Sequence, residues 1–100
     1  MPKPAVRDAV RILALHLSEK IVRAGDTVRG TVETTPNVEI VEARIATFAV
    51  HVPRIGRGRF AIDCVVPNVP FFLRRSYPIT IIARDRHGAS AQRTTTITVR

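Results

Sequence analysis

Ala24-Gly25-Asp26-Thr27-Val28-Arg29-Gly30-Thr31-Val32-Glu33-Thr34 decides the fold class. Ala24-Gly25-Asp26 is a turn signal, because Gly takes up left-handed backbone and Asp hydrogen-bonds its own turn. From Thr27 to Thr34 the chain then alternates. Val28, Gly30 and Val32 fall on one side, and Thr27, Arg29, Thr31 and Glu33 on the other. Period two is the signature of a strand with one face on a core and one in water.

The same alternation recurs outward from this stretch. Upstream, residues 1–9, with Pro2 and Pro4, form a lead-in, and Val10–Leu17 reads as the first strand. Ser18-Glu19-Lys20 separates it from Ile21-Val22. Downstream, Thr35-Pro36-Asn37 breaks the chain, and Val38–Ala46 resumes with Val41, Ala43 and Ile45 inward. Thr47–Val52 sets Phe48, Val50 and Val52 on one side. A helix over Val38–Ala49 is the alternative there; the β-branched content and the missing cap speak against it. Pro53–Gly58 reads as a basic turn, and Arg59–Val66 as a strand with Phe60, Ile62 and Cys64 inward and Arg59 and Asp63 outward. Pro67 and Pro70 stop it. Phe71-Phe72-Leu73 then reads as a short apolar strand that packs at least two of its residues inside, or else as a contact patch beside Arg74-Arg75. Tyr77–Ala83 carries Tyr77, Ile79, Ile81 and Ala83 on its core face. Asp85-Arg86-His87-Gly88 is a hairpin loop, and Ala91–Val99 closes the chain with Thr95, Ile97 and Val99 inward. About seven short strands, with no helix between them, predict an all-β sandwich of two antiparallel sheets spanning residues 10–100 as one domain. Phe48, Phe60 and Tyr77 are expected in the core.

One hundred residues leave room for one core, and an apolar content of 45% is enough to build it. The formal charge is +8, and all but Lys3 and Lys20 of the 16 basic residues are Arg. The charge is lopsided: residues 1–50 sum to +1 and residues 51–100 to +7. Such a field attracts polyanions, while a general preference for Arg and solubility explains the same numbers without a ligand. Cys64 is the single cysteine, so no internal disulfide can form. No secretory signal is visible, since Arg11 and His16 interrupt Val10–Leu17, and that run is too short to span a bilayer. A chain excised from a longer protein points to the cell surface or exterior, and a chain complete as given points to the cytoplasm.

Three stretches resemble bacterial immunoglobulin-like domains. Ala24–Val32 is similar to their second strand and the turn before it. Gly58-Arg59-Phe60-Ala61-Ile62, closed by Val66-Pro67, is similar to their middle glycine-x-phenylalanine strand. Tyr77–Gly88 is similar to their penultimate strand and hairpin, and a Thr-rich strand ending in Thr98-Val99 completes the likeness. The resemblance implies an immunoglobulin-like sandwich that acts as a spacer, adhesion element or carbohydrate-facing accessory. Gly25-Asp26, Val28, Gly30 and Val32, followed by an apolar strand ending in Pro, also resemble the amino-terminal sandwich of arrestin-like proteins. That likeness implies an intracellular protein-binding scaffold, normally of two sandwiches where this chain has one.

Catalytic chemistry is not indicated. Ser18, Ser76 and Ser90 lack a strained Gly-x-Ser-x-Gly turn, and Cys64 on an apolar face should be unreactive. His16, His51 and His87 are too scattered for zinc, with His16 expected to be partly buried. Asp26, Asp63 and Asp85 offer no clustered run for calcium, and Asp26 and Asp85 are expected to hold their own turns. No cofactor or metal is expected. The remaining hint is basic: Arg54, Arg57 and Arg59 beside one turn, Arg74 and Arg75 in another, and Arg86 on the last hairpin. Guanidinium groups bind phosphate, sulfate and carboxylate in fork geometry. Scarce aromatics and no groove-reading element argue against sequence-specific nucleic acid. The expectation is a non-catalytic structural, adhesive or binding module with a protein or polysaccharide partner, or alternatively an arrestin-like scaffold or loose polyanion binder.

Overall fold

The computed structural model describes residues 9–68, 70 and 73–100. Among them are nine strands: β1 (Ile12–Leu17), β2 (Ile21–Val22), β3 (Thr27–Thr34), β4 (Val38–Ile45), β5 (Phe48–Val52), β6 (Arg54–Gly56), β7 (Arg59–Val65), β8 (Ser76–Asp85) and β9 (Ser90–Val99). They form a four-stranded sheet, β1-β3-β7-β6, and a five-stranded sheet, β2-β9-β8-β4-β5. This is the strand order of an immunoglobulin-type sandwich, with β3, β7 and β6 facing β9, β8, β4 and β5. The two strands beyond the expected seven are very short. β2 exists because the Ser18–Lys20 break carries the chain across from one sheet to the other. There β2 pairs parallel with β9 (Ile21↔Thr98, Val22↔Val99), a departure from the expected all-antiparallel pairing. β6 exists because Arg54–Gly56 pairs with β7 (Arg54↔Phe60, Gly56↔Arg59), so only Arg57-Gly58 of the expected Pro53–Gly58 turn is a turn.

Inward residues of the two sheets meet in one main cluster. Val32 of β3 and Phe60 of β7 lie against Val38 and Val41 of β4, Val52 of β5 and Ile79, Ile81 and Ala83 of β8. Phe60, at 1% exposure, is the largest side chain sealed in it. Ile62 and Ile97 pack on this cluster partly buried. A second cluster of Val22, Val28 and Val66 closes the β2 side, with Leu17, Ile97 and Val99 against it.

Two devices in the connections hold the corners. At the start of β8, the Tyr77 hydroxyl donates to the Leu73 carbonyl, four residues upstream. This is the tyrosine corner of Greek-key sandwiches. At the β6–β7 turn, Gly58 has φ +70°, and its carbonyl accepts from the Thr34 amide at 2.8 Å. A Cβ on Gly58 would stand 2.6 Å from the Thr34 carbonyl oxygen, so the glycine of the Gly-x-Phe motif is required by a backbone approach.

Several expectations are corrected. Phe48 is 70% exposed, and Cys64 and His16 are exposed as well. Tyr77 is half-buried. Leu73 is exposed and in no strand, which removes it from the expected apolar strand; Phe71 and Phe72 lie outside the described residues. The strand phase is not at fault for Phe48 and Cys64. Phe60, Ile62 and Cys64 run from buried through half-buried to exposed on one face of β7. The cause is the length of β6. It flanks β7 only at Arg59 and Phe60, so among the described residues no strand flanks β7 from Ile62 to Val65 on that side. The sheets part there, and inward side chains become exposed.

Candidate functional site

The sequence groups its arginines by turns, and the topology sorts them into two opposite ends. Arg57 sits on the β6–β7 turn, with Arg54 and Arg59 in the flanking strands. That turn rests on the β3–β4 connection: the Gly58 Cβ position is 3.7 Å from the Pro36 Cα. The β8–β9 hairpin, with Arg86, emerges beside the same connection, since Val38 is in register with Asp85. Arg11 joins this end through its backbone, donating to Thr35 Oγ1 at 3.1 Å and accepting from the Thr35 amide at 3.0 Å. Arg54, Arg57, Arg59 and Arg86 are all exposed. Among the described residues Arg59 has one ion-pair partner, Glu33 at 3.9 Å, and Arg54 Nε donates to the Gly56 carbonyl at 3.3 Å. Among the described residues, Arg57 and Arg86 form no ion pair. Asp85, the buried acid at this end, is engaged with its own loop. Its Oδ1 accepts from the His87 amide at 2.8 Å and the Ala89 amide at 2.9 Å, while Gly88 takes φ +85°. Glu39, near the start of β4, is exposed.

Arg74 and Arg75 do not belong to this group. They precede β8 at the opposite end, where the Val99 amide donates to the Arg75 carbonyl. The Arg75 guanidinium lies over the Tyr77 ring, 5.3 Å from its centroid. Asp26, Asp63 and Asp85 also stay apart. Asp26 Oδ2 accepts from the Arg23 amide in its own turn at 2.8 Å, and Asp63 pairs with Arg29 at 3.1 Å on exposed strand faces. Asp85 is at the far end. Among the described residues no group of three or more His, Cys, Asp or Glu is placed to hold a metal ion.

The sequence reading missed a second feature. Where the sheets part, a cleft of about 520 Å³ opens between them. Its lining is almost wholly apolar: Leu17, Val28 and Ile62 on one sheet, Ala43, Val50 and Ile97 on the other, with Gly30 on its floor and Phe48, Val65 and Leu73 at its rim. Cys64 faces this space. Partial burial, then the neighbouring Asp63 carboxylate, push its thiol pKa upward. The only signal in sequence was the shortness of the segment between Pro53 and Gly58.

No family model and no curated sequence matches the chain. Solved structures do match in fold. A superoxide reductase (neelaredoxin) from Ignicoccus hospitalis superposes with a TM-score of 0.60 at 13% identity, covering 92% of this chain and 80% of that one. A putative superoxide reductase from Thermotoga maritima gives 0.57 at 13% identity, over 87% of this chain and 84% of that one. The SrpA adhesin of Streptococcus sanguinis gives 0.58 at 18% identity, over 92% of this chain and 56% of that one. Identities this low carry the β-sandwich fold and leave function to the site.

Proposed function

We propose that this chain is a non-catalytic binding module of the immunoglobulin-like kind found in bacteria, and that its contact surface is the end carrying Arg54, Arg57, Arg59 and Arg86. The observation that carries the reading is that the topology places four exposed arginines on turns and strand ends beside the β3–β4 connection, where Glu33, 3.9 Å from Arg59, is the one ion-pair partner among the described residues. Loops at one end of such a sandwich make a natural contact surface, because a rigid pair of sheets holds them in register. The partner chemistry is anionic and repetitive: an acidic polysaccharide or an acidic protein surface. A non-catalytic role fits the hydroxyls, since Ser18 Oγ accepts from the Arg29 amide and Ser76 Oγ shares a hydrogen with Thr98 Oγ1. The immunoglobulin-like kinship is supported by the strand order, the Tyr77 corner and the Gly58 approach. The reductase names among the structural neighbours come with fold likeness alone.

The test is binding to heparin as a model polyanion, with salt varied. Contacts of this kind release counterions, so affinity should fall linearly on a log–log salt plot and be lost by about 0.5 M salt. Arg57→Glu with Arg59→Glu should weaken binding strongly while leaving the circular dichroism spectrum intact. Arg74→Glu with Arg75→Glu, at the opposite end, should matter far less. Equal binding by the first pair and the parent protein rejects the reading.

A further inference from the structure

At the other end of the molecule, we infer that the cleft between the sheets is a binding site for a single-chain anionic amphiphile, a free long-chain carboxylate, with its tail between the sheets and its head at Arg75. The cavity, about 520 Å³, lies within the roughly 300–1,000 Å³ typical of small-molecule sites. Its walls offer a tail aliphatic contact from both sheets, through Leu17, Val28 and Ile62 on one side and Ala43 and Val50 on the other. Among the described residues that line it, Arg75 alone carries a charge, and it is solvent-exposed, as a residue at the mouth must be. The guanidinium lies over the ring of Tyr77, itself a lining residue, 5.3 Å from its centroid, and this contact restrains the cation at the cleft. One cation at the mouth of an apolar slot selects a ligand with one anionic end. Asp63 does not oppose this head group, because it is paired with Arg29 on the outer side of the sheet.

The single cysteine makes the site readable. Cys64 lines the cleft and is exposed, so a small thiol reagent should modify it in the folded protein, and an occupied cleft should shield it. The probes are dodecanoate, decanoate and dodecyltrimethylammonium, each below its micelle concentration, with calorimetry as a label-free second readout. Dodecanoate should protect Cys64 saturably. Each buried methylene is worth about fourfold in affinity, so decanoate should bind about fifteenfold more weakly. The cationic amphiphile should bind about fivefold more weakly than dodecanoate, and Arg75→Gln should erase that difference. Gly30→Val should block both ligands. A Cβ at Gly30 meets Leu17 Cδ2 at 3.6 Å and Ile62 Cγ2 at 3.8 Å, ordinary contacts, so the strand can accept a side chain that fills the floor. If that variant fails to fold, Arg75→Gln still decides the matter.

Four results overturn the inference. They are no protection by dodecanoate, equal affinity for both head groups in the parent protein, protection only by phosphatidylglycerol vesicles, and protection that grows with protein concentration alone. The third marks a membrane-facing surface and the fourth a second copy of the chain as the occupant.

Discussion

Gly58 carries more of the fold than its size suggests. Its φ of +70° lies where an L side chain is strained, and a methyl group there would press on the Thr34 carbonyl oxygen. That oxygen belongs to backbone, which cannot swing aside. Gly58→Ala should therefore destabilise the domain by about 1–3 kcal/mol, seen as a lower denaturant midpoint with an unchanged slope. Gly25 and Gly88 also have positive φ, but a Cβ there meets open space, so alanine at either should cost less. The same residue scale shows where sequence reading succeeds. Alternation alone points Phe60, Val32, Ile79 and Ile81 inward, and all four are buried. The same rule points Cys64 and Phe48 inward, and both are exposed. Alternation reports which way a side chain points; it cannot report whether an opposite sheet is there to meet it.

At the scale of elements, the missing information is length. The three residues of β6 leave half of β7 without a neighbour on that side among the described residues, and a three-residue strand has no periodicity to detect. The β4–β5 turn falls where the sequence divides Val38–Ala46 from Thr47–Val52, although no local signal asks for it. Ala46-Thr47 contains no turn former, and Ala46 is nonetheless in the left-handed region at φ +52°. Its geometry is imposed by strand pairing, Ile45 with Phe48, rather than by local preference. Pairing between β4 and β8 is reinforced on the outer face by Glu42. Its Oε1 accepts from Arg44 Nε at 3.1 Å and its Oε2 from Arg84 at 3.2 Å. The Arg44 hydrogen bond first, then that of Arg84, hold this carboxyl below its ordinary value of 4.5. A carboxyl with a depressed folded pKa adds stability above its unfolded pKa and loses it as pH falls through the folded value. Urea midpoints of the parent protein and Glu42→Gln should therefore differ at neutral pH and converge as the pH falls below about 4.5. A gap that stays constant with pH would mean that the pair acts through shape and not charge.

At the scale of the whole molecule, the sandwich has two unlike ends. Four of the six sequence-flagged arginines meet at one end, and Arg74 and Arg75 stand at the other. Turn positions in the sequence could not say which turns share an end; strand order does. The eight residues of β3 run from the cleft end at Thr27 to the basic end at Thr34, which separates them by roughly 23 Å. At physiological ionic strength the Debye length is about 8 Å, so charges at one end should not be felt at the other. Near 0.01 M salt it reaches about 30 Å, longer than the separation. Arg57→Glu with Arg86→Glu should thus abolish heparin binding yet leave dodecanoate protection of Cys64 unchanged at physiological salt. In dilute salt the same pair should weaken dodecanoate binding, because the positive field that reaches Arg75 is then reduced. Arg75→Gln should show the reverse pattern, with heparin affinity unaffected except in dilute salt. Coupling that persists at high salt would require a mechanical link through β3 and β7, and would appear as non-additive stabilities when the variants are combined.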